Sequence, residues 1–238
     1  MGSTPMACIA RGVRFATYWR TMRSFKHHLS ATRELDSLRF TSAPKSIRRR
    51  LDEGISRFEV DISDLFVDTP PLNSSKRTKY ELEELAKLAK PGFSSVFIEM
   101  PTIGLAQSVL DEHSTHLPEP SRKRMVSVLH DVRTACLALQ YQYGRARPRI
   151  IAEHYGMSLP DTYKDQDKTP SYPSTRSTQI SFLALYLGER FVKLQDQLYR
   201  LSEETDAALL ASALHYRSDI EASHELARYL FNTLKRKL

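Results

Sequence analysis

Cysteine and glycine are both scarce in this chain. Only Cys8 and Cys136 occur, far apart and in no paired motif, so neither a disulfide framework nor a thiolate metal site is indicated. A reducing compartment fits that usage. Of the 8 glycines, none forms a phosphate-cradling loop, a Walker motif or a Gly-x-Ser-x-Gly elbow. Long apolar runs are missing as well. The longest, Ile180 to Gly188, falls well short of the roughly eighteen residues that span a bilayer. Arg11 and Arg14 interrupt the stretch where a secretory leader would need its apolar core, and the start lacks the serine or threonine that myristoylation prefers at the sixth position. A soluble protein is expected.

Acidic residues are absent from the first thirty-three positions, where Arg11, Arg14, Arg20, Arg23, Lys26 and Arg33 stand with His27 and His28 before the first acid, Glu34. The formal charge of +7 resides almost wholly in this arm. It reads as a solvated basic tail, as a contact for nucleic acid or another polyanion, or as an organellar transit peptide. Phe15, Tyr18, Trp19 and Phe25 add apolar surface suited to docking on protein.

What is present is enough apolar material for a core, 41% of 238 residues, patterned at helical spacing with little strand signal. An all-α helical bundle is therefore expected, with a basic N-terminal arm and extended segment over residues 1–75 and a helical domain over residues 76–238. Alternation at Phe58, Val60 and Ile62 suits a strand or extended stretch, and Pro70-Pro71 with Asn73-Ser74-Ser75 marks a loop leading to a helix cap. Helices are predicted over 76–90, 121–143, 177–200 and 218–236. Their apolar stripes include Tyr80, Leu82, Leu85 and Leu88 in the first, and Met125, Val128, Leu129, Val132, Cys136, Leu139 and Tyr143 in the second.

The chemistry concentrates in three places. His215 stands four residues before Asp219, a spacing at which a carboxylate holds an imidazole in one tautomer. Pro173-Ser174-Thr175-Arg176 and Arg147-Pro148 precede that pair. Each fragment has an ordinary explanation: a His-Asp pair is more often a structural ion pair than a nucleophile, and Pro-Ser is a common turn and helix start. Asp111, Glu112, His113 and His116 cluster, but the prolines at 118 and 120 follow at once and no further ligand has the spacing of a metal site. No metal and no cofactor are expected.

In order and spacing, Arg147-Pro148, Pro173-Ser174 and His215-x3-Asp219 resemble the superfamily of type 2 phosphatidic acid phosphatases, bacterial nonspecific acid phosphatases and vanadium haloperoxidases. Its pattern is Lys-x6-Arg-Pro, then Pro-Ser-Gly-His, then Ser-Arg-x5-His-x3-Asp. The resemblance spans about residues 121–234. The surroundings are similar to soluble members, and Arg145-Ala146-Arg147-Pro148 to versions encoded by tailed phages. It implies a soluble acid-phosphatase-like bundle in which His215 is the nucleophile, Asp219 its orienting group, and Arg147, Ser174 and Arg176 contact the anion. The chain departs from the pattern at Gln140 for lysine, Thr175 for glycine, Arg176 for histidine, and Ala208-Leu209 for Ser-Arg.

These departures bear on chemistry. Arginine does not release its proton near neutral pH, so Arg176 cannot replace a histidine as general acid, a loss of roughly two to four orders of magnitude for poor leaving groups. Gln140 and Leu209 remove two cations from the anion cage. Vanadate-dependent halide oxidation is disfavoured for the same reason. The expectation is a non-catalytic structural or interaction protein on a phosphatase-like scaffold. It would join a larger assembly through residues 1–75, with a possible polyanion contact by the basic arm. The alternative is a low-activity phosphomonoesterase using His215. An intracellular location is expected, with mitochondrial, other organellar and phage-virion sites left open.

Overall fold

The computed structural model describes residues 30–65, 67–161 and 163–236. The expectations for the arm that concern residues 1–29 lie outside the described residues. The architecture is all-helical: α1 (30–37), α2 (Lys45–Glu53), α3 (Lys76–Leu88), α4 (Val96–Glu99), α5 (Thr102–Glu112), α6 (Glu119–Tyr143), α7 (Pro148–His154), α8 (Thr175–Arg190), α9 (Gln195–Ala211) and α10 (Arg217–Lys235). Among the described residues there is no strand, only an isolated antiparallel bridge between Arg39 and Arg145. The alternating stretch at 58–62 is a turn running into a short 3₁₀ segment at Ile62–Asp64. Phe58 is buried there against Phe182, and a lone extended segment has no partner ladder to join.

Helix α8 is the centre of the bundle. It packs along α9 and α10, with α6 and α5 also against it, while α2 lies on α6 and α3 on α9. Two apolar clusters result. The larger joins α5, α6, α8 and α10 and includes Ile55, Phe58, Leu65 and Val67; the smaller joins Leu82 and Leu85 of α3 to Ile151, Leu209, Leu210 and Leu214. The first two turns of α10 straddle both, Ile220 lying in the smaller cluster and Ala222 in the larger.

Two element boundaries and one buried face differ from the periodicity. Helix α6 starts at Glu119, ahead of the expected cap at Ser121, because Pro120 sits in its first turn, where the missing N–H has no intrahelical acceptor to satisfy. The predicted helix 177–200 is two helices. Phe191 leaves helical geometry (φ −121°, ψ 68°), a 3₁₀ turn at Val192–Leu194 follows, and α9 begins at Gln195. Gly188 admits this reversal, since a Cβ there would lie 3.3 Å from Cγ of Gln195. Helix α3 presents a different face from the one predicted. Tyr80 and Leu88 are exposed, while Thr78 and Glu81 are buried beside Leu82 and Leu85, because that face meets a buried guanidinium.

At the end of α6, Gly144 adopts φ 64° and donates its N–H to the Gln140 carbonyl. Its own carbonyl accepts from Phe40 N at 2.7 Å, and a Cβ here would lie 2.1 Å from the Phe40 carbonyl oxygen. Only glycine fits both the torsion and the space. No helix among the described residues is long and apolar enough to cross a membrane.

Candidate anion-binding site

Between Gly144 and Pro148, which opens α7, the chain runs extended, and an extended backbone sends residues two apart to the same side. Arg145 and Arg147 thus both reach toward the start of α10. Arg145 is buried. Its Nη1 donates to Asp219 Oδ1 at 2.7 Å and Ser218 Oγ at 2.7 Å, its Nη2 lies 3.3 Å from Glu81 Oε2, and its guanidinium stacks 3.8 Å from the Tyr216 ring centre. Ser218 completes the ring by donating its backbone N–H and its hydroxyl to Glu81 at 3.0 and 2.9 Å. One cation therefore meets two carboxylates in a closed network.

Asp219 is fully buried and serves three groups. Besides Arg145, its Oδ2 accepts from the Tyr216 backbone N–H at 3.0 Å, which caps α10, and lies 3.3 Å from His215 Nδ1. Burial alone would raise this carboxyl; Arg145, the imidazole and the backbone donor outweigh it and hold it below the ordinary carboxylate value.

The other ring nitrogen of His215, Nε2, lies 3.0 Å from Arg147 Nη1. Burial, and then the nearby Arg147 charge, push the imidazole below its ordinary value, so it is neutral near pH 7. The network then assigns the tautomer: Nδ1–H donates to Asp219, and the Nε2 lone pair accepts from Arg147.

Arg147 has no carboxylate in contact. It donates to the Leu214 carbonyl at 2.9 Å, the Thr169 carbonyl at 3.0 Å and the Thr169 hydroxyl at 3.0 Å. Burial lowers it to about 10, against the opposing pull of Asp219, and it remains a cation at neutral pH. Arg176 resembles it in this. Its two Nη atoms donate to the carbonyls of Met100 and Ile98, each at 2.5 Å, and burial lowers its affinity for its proton.

Arg147, Arg176 and His215 line one cleft of ≈ 600 Å³, with Gln140, Thr175 and Leu209 also on its wall. Gln140 turns its amide N–H groups to the Pro173 carbonyl at 2.8 Å and the Thr175 hydroxyl at 3.2 Å. Ala208 is buried off the cleft wall. Ser174 is fully buried off it too: its hydroxyl caps α8 by accepting from Ser177 N, and its N–H donates to Ser223 Oγ at 2.9 Å. The cluster around Asp111 is separate and exposed, with His116 Nδ1 3.4 Å from Asp111.

The formally charged side chains on the cleft wall are Arg50, Arg133, Arg147 and Arg176. Among the described residues no carboxylate lines it. The chain matches no protein-family model and no curated protein.

Arg50, Arg133 and His130 reach the cleft from α2 and α6 and carried no sequence signal, because nothing local indicates which face α2 lays against α6. The pairing of Arg145 with Glu81 has no local signal either, although the Arg-x-Arg spacing in an extended run sends both arginines to one side. Cys136 is buried beside the Pro173 carbonyl, and burial pushes its thiol up to about 11, so it is a packed side chain without thiolate reactivity. A Ser-Asp-His contact elsewhere, Ser177 Oγ 2.5 Å and His224 Nε2 2.6 Å from the two Asp206 oxygens, places the carboxylate between the other two and cannot activate the hydroxyl through the imidazole.

Proposed function

We propose that this protein is a non-catalytic, anion-binding structural or interaction protein on a phosphatase-like scaffold, part of a larger assembly. The carrying observation is the cleft wall: four arginines and no carboxylate. One of the four, Arg147, is buried, Arg50 and Arg176 are half-buried and Arg133 is exposed; cations gathered in a cleft without ion-pair partners raise its potential, and an oxyanion is the ligand that lowers it. Two features weigh against turnover. The His215 Nε2 lone pair, which would attack phosphorus, is engaged by Arg147. Position 176 is a guanidinium fixed on two carbonyls, unable to protonate a leaving alkoxide.

A second reading, a low-activity phosphomonoesterase, draws on the His215 to Asp219 contact at 3.3 Å, the arrangement that orients an imidazole nucleophile. Purified full-length chain, titrated calorimetrically with inorganic phosphate, should bind it, and Arg176→Gln should weaken binding about tenfold. Hydrolysis of an aryl phosphate should be no faster than in His215→Ala. Turnover that depends on His215 would favour the esterase; absence of phosphate binding would defeat the anion-binding reading. The resemblance itself is tested by combining Gln140→Lys, Arg176→His and Leu209→Arg, which should create or raise activity in a folded variant.

A further inference from the structure

Two of the four cleft arginines, Arg50 and Arg133, stand at no position of the motif pattern. Arg50 projects from the last turn of α2 and Arg133 from the middle of α6, and neither has a hydrogen-bond or ion-pair partner among the described residues. The Arg50 Nη1 atom is buried with nothing to donate to. The two charges are close enough that, after burial, Arg50 is the next influence lowering the Arg133 affinity for its proton. Like charges held together without a counter-ion cost stability, so their persistence in a cleft points to a missing anion.

Their placement along α6 separates them from the His215 end. Cleft-lining residues Leu129, Arg133, Leu137 and Gln140 follow one helical stripe, and Arg133 precedes Gln140 by two turns, about 10 Å of axis. Gln140 touches Pro173 and Thr175, next to Arg176. The cleft is thus cationic at two levels about 10 Å apart. Four guanidinium charges match two phosphoryl groups, each carrying roughly −1.5 to −2, and arginine forks suit phosphoryl oxygens. Ile47, Ile103, Leu129 and Leu137 on the same wall favour a carbon skeleton over a bare phosphate chain. The volume, ≈ 600 Å³, is that of a small-molecule site. The chain's own first thirty-three residues, basic and without an acid, are unsuited to the cleft.

We propose that Arg50 and Arg133 form a second anion subsite, so that the cleft binds a small organic molecule carrying two phosphoryl groups. One group lies at Arg147 and Arg176, the other at Arg50 and Arg133. This rests on the anion-binding reading above and goes beyond it in ligand class.

Calorimetry on the full chain with hexyl monophosphate and hexanediol bisphosphate reads the proposal as a ratio of affinities. The bisphosphate should bind about 30-fold more tightly, an advantage that falls to near unity in Arg50→Gln/Arg133→Gln. Arg48→Gln/Arg49→Gln, the same charge change at exposed positions on the same helix, should retain it. A thermal midpoint establishes that each variant is folded, and Arg133→Gln alone, at a position with an exposed residue, carries the comparison if the double variant is not. A ratio near unity in the unmodified chain, or one that survives Arg50→Gln/Arg133→Gln, overturns the second subsite while leaving phosphate binding intact. If inorganic phosphate and both probes fail to bind, the anion-binding reading falls with it.

Discussion

Arg145 is the residue on which the buried polar network depends. It is the shared partner of Glu81 and Asp219, both buried, and its side chain is 2% exposed. Removing it leaves the buried Asp219 with only a neutral imidazole and a backbone N–H, and Glu81 with only the exposed Arg77 at 3.5 Å as counter-charge. We expect Arg145→Ala to lose about 3–5 kcal/mol of stability in urea unfolding, and a loss below about 1 kcal/mol would show that the network relaxes onto water. The pH dependence belongs to this scale as well. His215 is held below its ordinary value of 6.5, so below that pH the unfolded chain takes up a proton that the folded chain resists. Stability therefore falls as pH drops through and below that value. The Asp219 carboxyl, also held low, adds a further loss as pH falls below its ordinary value of 3.8. The thermal midpoint should decline between pH 7 and 5, and His215→Gln should flatten that decline. An equal slope in both proteins would assign the acid sensitivity elsewhere.

At the scale of elements, Gly144 couples the end of α6 to the segment that enters α2. Its left-handed torsion and its approach to the Phe40 carbonyl are independent reasons against any side chain. Gly144→Ala should cost more than about 2 kcal/mol and also displace Arg145 and Arg147, which follow directly. Chemical denaturation measures the first effect, and weaker phosphate binding the second. Legibility in the sequence also divides at this scale. The stripe of α6 is plain in Met125, Val128, Leu129, Val132 and Cys136, all buried. The break between α8 and α9 is not, because no proline marks it and Leu187, Leu194 and Leu198 keep nearly helical phase across a 3₁₀ turn. The buried face of α3 is not legible because Thr78 and Glu81 are polar, and only the arrival of Arg145 from elsewhere in the chain explains their burial.

For the whole molecule, the helical class follows from periodicity alone, and the His215 and Asp219 pair from a spacing within one turn. The cleft does not, because Arg50 and Arg133 become site residues only through packing of α2 on α6. The N-terminal region matters at this scale too. Ile55, Phe58, Leu65 and Val67 lie in the larger core cluster, so a partner that engages residues 1–33 would be tethered to the bundle by a short connection. Deleting residues 1–33 should abolish co-purification of that partner while leaving phosphate binding intact; undiminished association would make those residues passive.

Asp219 simultaneously holds a helix start, a guanidinium and an imidazole. A replacement at Asp219 that abolishes activity or binding reports on folding as much as on chemistry, because all three contacts leave with the carboxylate. The same bond pattern gives this carboxylate an architectural role that does not depend on turnover. In this chain the pair of His215 and Asp219 therefore records how α10 begins, and its presence alone is silent on whether a reaction takes place.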